Sequence, residues 1–317
     1  MKPEYSQSTV VSSVPKTTHA TYVVYSQLIL TMLIWGAAWP VGRLLAEGLP
    51  TVSIAVIRYL IVVPVLFLIL RLREGKIHIQ REWIPTLVLL GLFSTTLYQI
   101  FFLYGVKYAA ASDDSIVIGA APVMIGVLAS FYTQERLTRW KILGLLVGLS
   151  GVVLIGFLSP NSQVLNRPLG LTLVFFGALS YALYTILLRR FVKKTNSNPD
   201  GVHVTSLSIN SWMAVFGLVF LAPFSLIEQP WNSTWDTNSW IGILYLALLS
   251  TIVGYYLYIE GVTKIGAGRA SVFSNLVPFF GVLTSALILK EAVSIWTVVS
   301  LLLILTGVYL VNTKRAA

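Results

Sequence analysis

Arg58 is the basic residue whose position has the strongest chemical consequence, because it lies inside an apolar run from Thr51 to Leu70. A guanidinium in such surroundings costs at least ~2.5–3.5 kcal/mol on membrane-insertion scales and therefore needs a partner. One interpretation is that Arg58 binds the carboxylate or another anionic group of a ligand in a cavity. The alternative is that it forms an interhelical salt bridge or reaches the polar surface through its flexible stem.

Aromatic, amide and hydroxyl side chains interrupt the apolar runs at several further places. Rings together with a few hydrogen-bonding groups suit a cavity for a small neutral or zwitterionic molecule. The alternative for any single ring is ordinary core packing or a place in the interfacial belt. The residues predicted to bind a substrate are Trp35, Trp39, Arg58, Tyr98, Gln99, Tyr181, Tyr184, Tyr255, Ser274 and Asn275.

Pro122 and Pro278 each lie about halfway along an apolar run. Proline removes one backbone hydrogen bond and presses its ring against the preceding turn. The freed carbonyl can face a cavity, so we predict that both prolines are hinges. A kink that only serves packing is the alternative, since such kinks are tolerated where neighbouring helices satisfy the backbone.

The acidic residues lie at the ends of the apolar runs rather than in their middles. Asp113 and Asp114 open the fourth run and suit the electrostatics of a helix N-terminus. Glu135 and Glu291 are adjacent to loops, which favours a contact with a neighbouring arginine or a helix end. Proton coupling would use a carboxylate in the cavity, so the sequence leaves proton coupling, facilitation and exchange open.

Several other kinds of chemistry have no residues to support them. The chain has no Cys, three His and no HExxH pattern, so we expect no metal and no cofactor. The chain contains no GxxxxGK[ST] motif, which disfavours ATP hydrolysis by this chain. The net charge of +10 comes without a basic face interleaved with aromatic residues, so we expect no nucleic-acid partner.

The amino-acid composition predicts that these residues lie in a lipid bilayer. Hydrophobic residues form 56% of the chain and charged residues 11%, whereas soluble domains are about 25% charged. Runs of about 20 apolar residues can cross a bilayer as helices. The predicted spans are Gln27–Ala46, Thr51–Leu70, Ile84–Val106, Asp114–Thr133, Trp140–Leu158, Leu169–Leu188, Val204–Ile227, Trp240–Ile259, Arg269–Leu289 and Ile295–Val311.

The basic residues predict how these ten spans are oriented. With the N-terminus inside, the loops on the cytosolic side hold most of the Lys and Arg, as the positive-inside rule requires. Only Arg43, Lys107, Arg167 and Lys290 fall on the outer side. We therefore predict an integral, multi-pass protein, of the cell membrane, with both termini in the cytosol.

The chain resembles itself at a constant offset. Pro122 then corresponds to Pro278, and Glu135 to Glu291, and the same offset pairs Ser94-Thr95 with Ser250-Thr251. Five spans in each copy are an odd number, so the second copy is inserted upside down relative to the first. Inverted repeats of this kind are typical of secondary transporters. The prediction is an all-α membrane protein in which ten transmembrane helices form two inverted five-helix repeats.

The residues of both copies resemble the EamA-type transporters of the drug/metabolite transporter superfamily. The matching positions are Trp35-Gly36, Arg58, Ala111, Pro122, Glu135-Arg136-Leu137, Gly144, Gly148 and Gly151, then Gly266-Ala267, Pro278, Glu291-Ala292-Val293 and Gly307. The resemblance implies alternating access around a central cavity between the halves. It also implies substrates such as amino acids, other small metabolites or xenobiotics, which are often exported.

We divide the chain into a flexible cytosolic tail (1–26) and two five-helix repeats (27–158 and 169–312). The expected function is a secondary transporter, in the exporting direction, of small neutral or zwitterionic metabolites or xenobiotics. Its expected partners are that small-molecule substrate and the lipid bilayer, with the protein a monomer or homodimer. The alternatives are an exchanger of phosphorylated solutes or nucleotide sugars, a membrane-embedded enzyme, and a non-transporting scaffold.

Overall fold

The computed structural model describes residues 18–75, 77, 79–132, 139–158, 164–196, 204–265, 270 and 273–312. All regular secondary structure in these ranges is helical. Long apolar segments form helices in lipid because a helix satisfies its own backbone hydrogen-bonding groups. Seven described helices are long and apolar enough to cross a membrane.

In the first part of the chain, one pair of helices is continuous and another pair is interrupted. A π-helical segment, Leu92–Leu97, joins two helices into one rod, and a short turn at Gly119 and Ala120 separates two others. The helices are α1 (Thr18–Gly48), α2 (Thr51–Glu74), α3 (Ile84–Gly91), α4 (Tyr98–Tyr108), α5 (Ala111–Ile118), α6 (Ala121–Tyr132) and α7 (Arg139–Leu158).

The second part of the chain has a related sequence of elements. Its π-helical segment, Tyr245–Val253, again joins two helices into one rod. The helices are α8 (Arg167–Asn196), α9 (Ser206–Glu228), α10 (Thr237–Leu244), α11 (Gly254–Ile265), α12 (Leu276–Ile288) and α13 (Ile295–Asn312).

The observed helices differ from the predicted spans mainly at their ends. α1 begins at Thr18, earlier than the predicted start at Gln27, while residues 1–17 lie outside the described part. The spanning-length helices are Tyr22–Gly48, Thr51–Glu74, Arg81–Tyr108, Ala111–Ala129, Arg167–Thr195, Ser206–Glu228 and Thr237–Val262, and shorter apolar helices cover Leu276–Ile288 and Ile295–Leu310. Residues 133–138 and 266–269 lie outside the description, so the count of ten stays a prediction.

α7 packs lengthwise against α13. A Cβ atom on Gly307 would lie 2.6 Å from the backbone oxygen of Gly144, and one on Gly151 would lie 2.9 Å from the backbone oxygen of Ser300. Only glycine permits so close an approach of two backbones, which is the role that small residues at this spacing have in membrane helices.

α1 is the central helix of the bundle, with α12, α11, α4 and α5 packed around it. A Cβ atom on Gly36 would lie 2.8 Å from the backbone nitrogen of Gly281, so α1 and α12 touch closely. α2 packs on α9, and α4 packs on α8. Helices from both parts of the chain therefore surround the middle of α1, and this is where the candidate site lies.

Candidate functional site

A cavity of about 210 Å³ lies beside the middle of α1, and we call it the central cavity. The structure brings every residue that the sequence predicts for binding or hinge movement to the wall of this cavity. These residues are Trp35, Trp39, Arg58, Tyr98, Gln99, Pro122, Tyr181, Tyr184, Tyr255, Ser274, Asn275 and Pro278. They come from helices of both parts of the chain, so the cavity exists only in the folded bundle.

Aromatic rings in contact with one another form much of the wall. The ring centroids of Trp39 and Phe102 are 4.8 Å apart in an edge-to-face arrangement. Tyr98 and Tyr181 are 5.9 Å apart, and Tyr181 and Tyr184 are 5.7 Å apart. Such ring pairs are favourable beyond their buried area, and they give this wall a largely aromatic surface.

Arg58 is buried and points its guanidinium at polar groups rather than at a carboxylate. Its Nη2 and Nε donate to Thr251 Oγ1 at 2.7 and 3.1 Å, and its Nη1 donates to Gln99 Oε1 at 3.2 Å. Its Cζ also lies 5.8 Å from the centroid of the Tyr59 ring. No described carboxylate forms an ion pair with Arg58, so the interhelical salt bridge considered from the sequence is not formed within the described residues.

The two π-helical segments release carbonyl groups that accept side-chain hydrogen bonds, and their residues Ser94, Ser250 and Thr251 line the central cavity. The Ser250 carbonyl accepts a 3.0 Å hydrogen bond from Trp35 Nε1, and the Phe93 carbonyl accepts a 2.8 Å bond from Ser180 Oγ. A π-helical turn contains an extra residue and thereby releases carbonyls from the regular α-helical pattern, often at functional sites. Thr251, which lies in the second π-helical segment, accepts hydrogen bonds from the guanidinium of Arg58.

Sequence reasoning missed the site residues Tyr59, Ser94 and Thr251. All three line the central cavity, and Thr251 and Tyr59 also contact the guanidinium of Arg58. A signal was present, because the internal repeat pairs Ser94-Thr95 with Ser250-Thr251. A matched pair of hydroxyl residues inside an apolar run indicates a polar site shared by both copies.

Both predicted hinge prolines follow an interruption of the helix. The turn at Gly119 and Ala120 precedes Pro122, and a turn at Ser274 and Asn275 precedes Pro278. Proline has no N–H to offer the carbonyl four residues earlier, and the residues at those positions line the cavity. The interruptions also touch, since a Cβ atom on Gly119 would lie 2.7 Å from Pro278 Cγ.

A second cavity, of about 350 Å³, continues from the central cavity along α2 to Arg73. Tyr59, Tyr184 and Tyr255 line both cavities. Because α2 ends at its basic residues, the second cavity leads toward the side that the charge distribution predicts to be cytosolic.

At the opposite end of the bundle, predicted to be outside, Arg43 forms ion pairs with the buried side chain of Glu291 and with the exposed side chain of Glu47. Arg43 Nη1 lies 2.5 Å from Glu291 Oε1, and its Nε lies 2.7 Å from Glu47 Oε1. Glu291 also accepts hydrogen bonds from the backbone N–H groups of Ala111 at 3.0 Å and Ser112 at 2.9 Å. We call these five residues the outer latch. The prediction that Glu291 contacts an arginine or a helix end is confirmed, whereas Glu135 lies outside the described residues.

Two other carboxylates at this end bind helix ends or cations. Glu228 accepts the backbone N–H groups of Val52 at 2.9 Å and Ser53 at 2.8 Å, and so binds the N-terminus of α2. Asp113 Oδ2 lies 2.6 Å from Nη2 of Arg167. Bonds of this kind to a carboxylate are strong because the acceptor is ionised.

Asp236 is an exposed carboxylate in the segment before α10. It accepts hydrogen bonds from the hydroxyl and from the backbone N–H of Ser239, the latter at 2.8 Å, and so forms the N-cap of α10. The hydroxyl bond and then the N–H bond stabilise the ionised form and lower the pKa of this carboxyl.

Comparison with known proteins connects this geometry to a family. The sequence model of the EamA-like transporter family matches residues 23–157 and residues 168–313. The uncharacterised transporter YetK of Bacillus subtilis is 27% identical over 92% of this chain and 87% of its own length. An uncharacterised transporter of Archaeoglobus fulgidus is 29% identical over 91% of this chain and 98% of its own length.

The similarity extends to a eukaryotic protein and to a solved fold. A WAT1-related chloroplast protein of Arabidopsis thaliana is 27% identical over 92% of this chain and 70% of its own length. One crystal structure superposes with a TM-score of 0.62 at 18% identity, over 92% of this chain and 96% of that chain. The structural likeness supports the helical fold alone.

Proposed function

Since the chain belongs to the EamA-like transporter family, we propose that it moves small metabolites carrying a carboxylate, in particular zwitterions with an apolar or aromatic part. Transport by a multi-pass membrane protein is the property of the family and of its named relatives. The substrate class, the path and the direction of movement are the content of the proposal.

The observation that carries the proposal is the state of Arg58. Its guanidinium lies at the wall of the central cavity, held by Thr251 and Gln99, and is paired with no described carboxylate. An unpaired cation in a membrane interior is costly. A substrate carboxylate would supply the missing charge and accept the guanidinium's remaining N–H groups in a planar arrangement that suits arginine.

The rest of the wall defines the other part of the substrate. The rings of Trp35, Trp39 and Tyr98 favour an apolar or aromatic group, and ring faces also attract an ammonium group. No Asp or Glu lines the cavity among the described residues. An ammonium would therefore meet ring faces and the oxygens of Ser274 and Asn275 rather than a counter-charge.

A phosphorylated substrate fits this wall less well. A phosphate group carries more charge than a carboxylate and is bound in proteins by several cations. Arg58 is the one Lys or Arg among the described residues of the central cavity. This supply of positive charge favours carboxylates over the phosphorylated solutes and nucleotide sugars of the alternative function.

Our proposal for the mechanism is alternating access between two inverted five-helix repeats that together contain ten spans. Pro122 and Pro278 act as hinges, and the substrate binds to the predicted cavity residues around Arg58. The structure's closed outer latch and its cavity toward α2's end support an inward-facing state. Export across the cell membrane, with both termini in the cytosol and a monomeric or homodimeric protein, completes the proposal.

The test is thermal stabilisation of the purified protein by candidate substrates in detergent. The candidates are amino acids, sugars, nucleotides, phosphorylated metabolites and cationic drugs. A ligand that binds only the folded protein stabilises it by mass action, by ~2.7 kcal/mol at one hundred times its Kd. We expect stabilisation by amino acids with large apolar side chains and not by their amides, which lack the carboxylate.

The matched variants are Arg58→Gln in the central cavity and Arg73→Gln in the second cavity. Arg58→Gln should abolish the stabilisation, whereas Arg73→Gln should retain it. The same compounds should then exchange across proteoliposome membranes. Stabilisation confined to phosphorylated anions, or undiminished in Arg58→Gln, would show that the assigned substrate class is wrong.

A further inference from the structure

Asp113 and Asp114 are adjacent and fully buried in the first turn of α5, yet they have different surroundings. Asp113 is paired with Arg167, whose Nη2 and Nε lie 2.6 and 2.9 Å from Oδ2. Neither carboxyl oxygen of Asp114 has a hydrogen-bond partner within the described part of the chain. Asp114 is therefore a buried titratable group that belongs to none of the described ion pairs at this end of the bundle.

The helix N-terminus does not stabilise a charge on Asp114. The sequence places both aspartates where they could interact with the first N–H groups of α5, but Ala111 and Ser112 donate theirs to Glu291. The N–H group of Asp114 itself donates to the Ala110 carbonyl at 3.0 Å. Glu291 thus has the role at this helix end that the sequence assigned to the aspartates.

The charged groups that face Asp114 come from several elements and are engaged with one another. Arg43 of α1 and Arg167 at the start of α8 are the cations, and Asp113 of α5 and Glu291 before α13 are the anions. Arg43 binds Glu291 and Glu47, while Arg167 binds Asp113. An ionised Asp114 would add an anion to a group whose two arginines are already paired with other carboxylates.

The uncharged carboxylic acid is therefore the form of Asp114 that suits this state. An ionised carboxylate buried without hydrogen bonds has a large desolvation cost. A metal ion is a poor alternative, because no cluster of three His, Cys, Asp or Glu side chains that could hold one occurs among the described residues. A proton needs no further ligand.

Asp114 also lies between the outer latch and the central cavity. Ile118, one helical turn further along α5, lines the cavity, and the turn spans only about 6 Å at 1.5 Å per residue. Ala111 and Ser112, on the other side of Asp114, are bound to Glu291 in the latch. A change of charge on Asp114 would therefore act on the element that connects latch and cavity.

We propose that Asp114 is a proton-binding site that controls the outer latch of this transporter. It holds a proton while the latch is closed. When Arg43 separates from Glu291 and water enters, the O–H bond of Asp114 breaks, the proton passes to water on the outer side, and the carboxylate remains beside Arg43. The role in transport rests on the proposed function, but the binding of the proton does not.

The first test measures opening of the outer end with a single cysteine. The natural chain has no Cys, so Ser112→Cys would be the only reactive thiol, and the hydroxyl it replaces is buried without a hydrogen-bond partner. A membrane-impermeant maleimide is added from outside at a series of pH values. Labelling of Thr234→Cys, an exposed position before α10, corrects for the pH dependence of the thiol itself.

We expect the corrected labelling of Ser112→Cys to rise several-fold from acidic to mildly alkaline pH. With Asp114→Asn added, which imitates the neutral acid, labelling should stay low throughout this range. Replacing sodium by choline should change nothing. The proposal is overturned if the parent shows no pH dependence, if Asp114→Asn retains it, or if sodium is required.

The second test detects the proton directly in the purified protein, without any substrate. The infrared carbonyl band of a protonated carboxylic acid should be present in the natural protein near neutral pH and absent in Asp114→Asn. Asp236→Asn, which removes an exposed carboxylate, is the control and should retain the band. Absence of the band in the natural protein overturns the proton site, even if carboxylate substrates bind as proposed. A band that persists when no metabolite binds leaves the proton site standing and rejects the proposed function.

Discussion

The two ends of the central cavity are bordered by different chemistry. At the predicted outer end, Arg43 and Glu291 form a buried ion pair that also binds the first amides of α5. At the other end, the rings of Tyr59, Tyr184 and Tyr255 line both the central cavity and the second cavity. Ion pairs are directional and costly to separate in low dielectric, whereas rings can rotate. The two ends should therefore open at different cost.

The largest expected effect comes from breaking the ion pair. Glu291→Gln leaves Arg43 without its closest buried partner, and removal of one member of a buried pair costs ~3–5 kcal/mol. We expect a corresponding decrease in the free energy of unfolding, measured by chemical denaturation in detergent micelles.

Glu228→Gln is the matched control for this variant. Glu228 binds the N-terminus of α2 as Glu291 binds that of α5, but its described bonds come from Ser53, Val52 and Tyr104 and not from a cation. Loss of a helix cap alone costs ~0.5–2 kcal/mol. Equal losses in the two variants would mean that the pairing with Arg43 contributes nothing to closure.

A smaller effect is expected at the tyrosine end. The hydroxyl of Tyr184 makes no hydrogen bond within the described residues, and its ring packs against Tyr181. Tyr184→Phe keeps the ring, so the free energy of unfolding should change by less than about 1.5 kcal/mol. A loss as large as that of Glu291→Gln, in the same assay, would remove the distinction between the two ends.

The smallest effect is expected for an exposed carboxylate at the outer end. Asp236→Ala removes the N-cap of α10 and should lower the melting temperature slightly at neutral pH. Because hydrogen bonds from Ser239 lower the pKa of Asp236, this stabilisation is present above its unfolded pKa of ~3.9 and disappears as pH falls through the folded pKa. The melting temperatures of the natural protein and of Asp236→Ala should therefore become equal in acid. A difference that persists there would show that the cap does not act through the charge.

The residues that the sequence predicts for binding lie together at the wall of the central cavity for a physical reason. Polar groups such as those of Arg58 and Gln99 are costly inside a bilayer unless they face one another or a cavity. Once the apolar runs fix the depth of each residue, groups at similar depth are expected together. The structure brings them to one wall, and their role in binding stays a prediction.

The remaining features depend on contacts that a linear pattern does not contain. The pairing of Arg43 with Glu291 joins residues far apart in the chain. Thr251, which accepts a hydrogen bond from Arg58, lies in a π-helical segment. The extra residue of such a segment cannot be recognised in a run of apolar residues. The difference between Asp113 and Asp114 depends on which of two adjacent side chains reaches Arg167.

The π-helical segments also have a rotational consequence. An α-helix turns by about 100° and rises 1.5 Å for each residue. Expelling the extra residue of Leu92–Leu97 or Tyr245–Val253 would therefore turn α4 or α11 about its own axis by roughly this angle relative to the preceding helix. Tyr98 and Tyr255, which follow these segments, would leave the cavity wall while every helix stayed intact. The bundle thus contains two places where a helix can exchange the face it presents without bending.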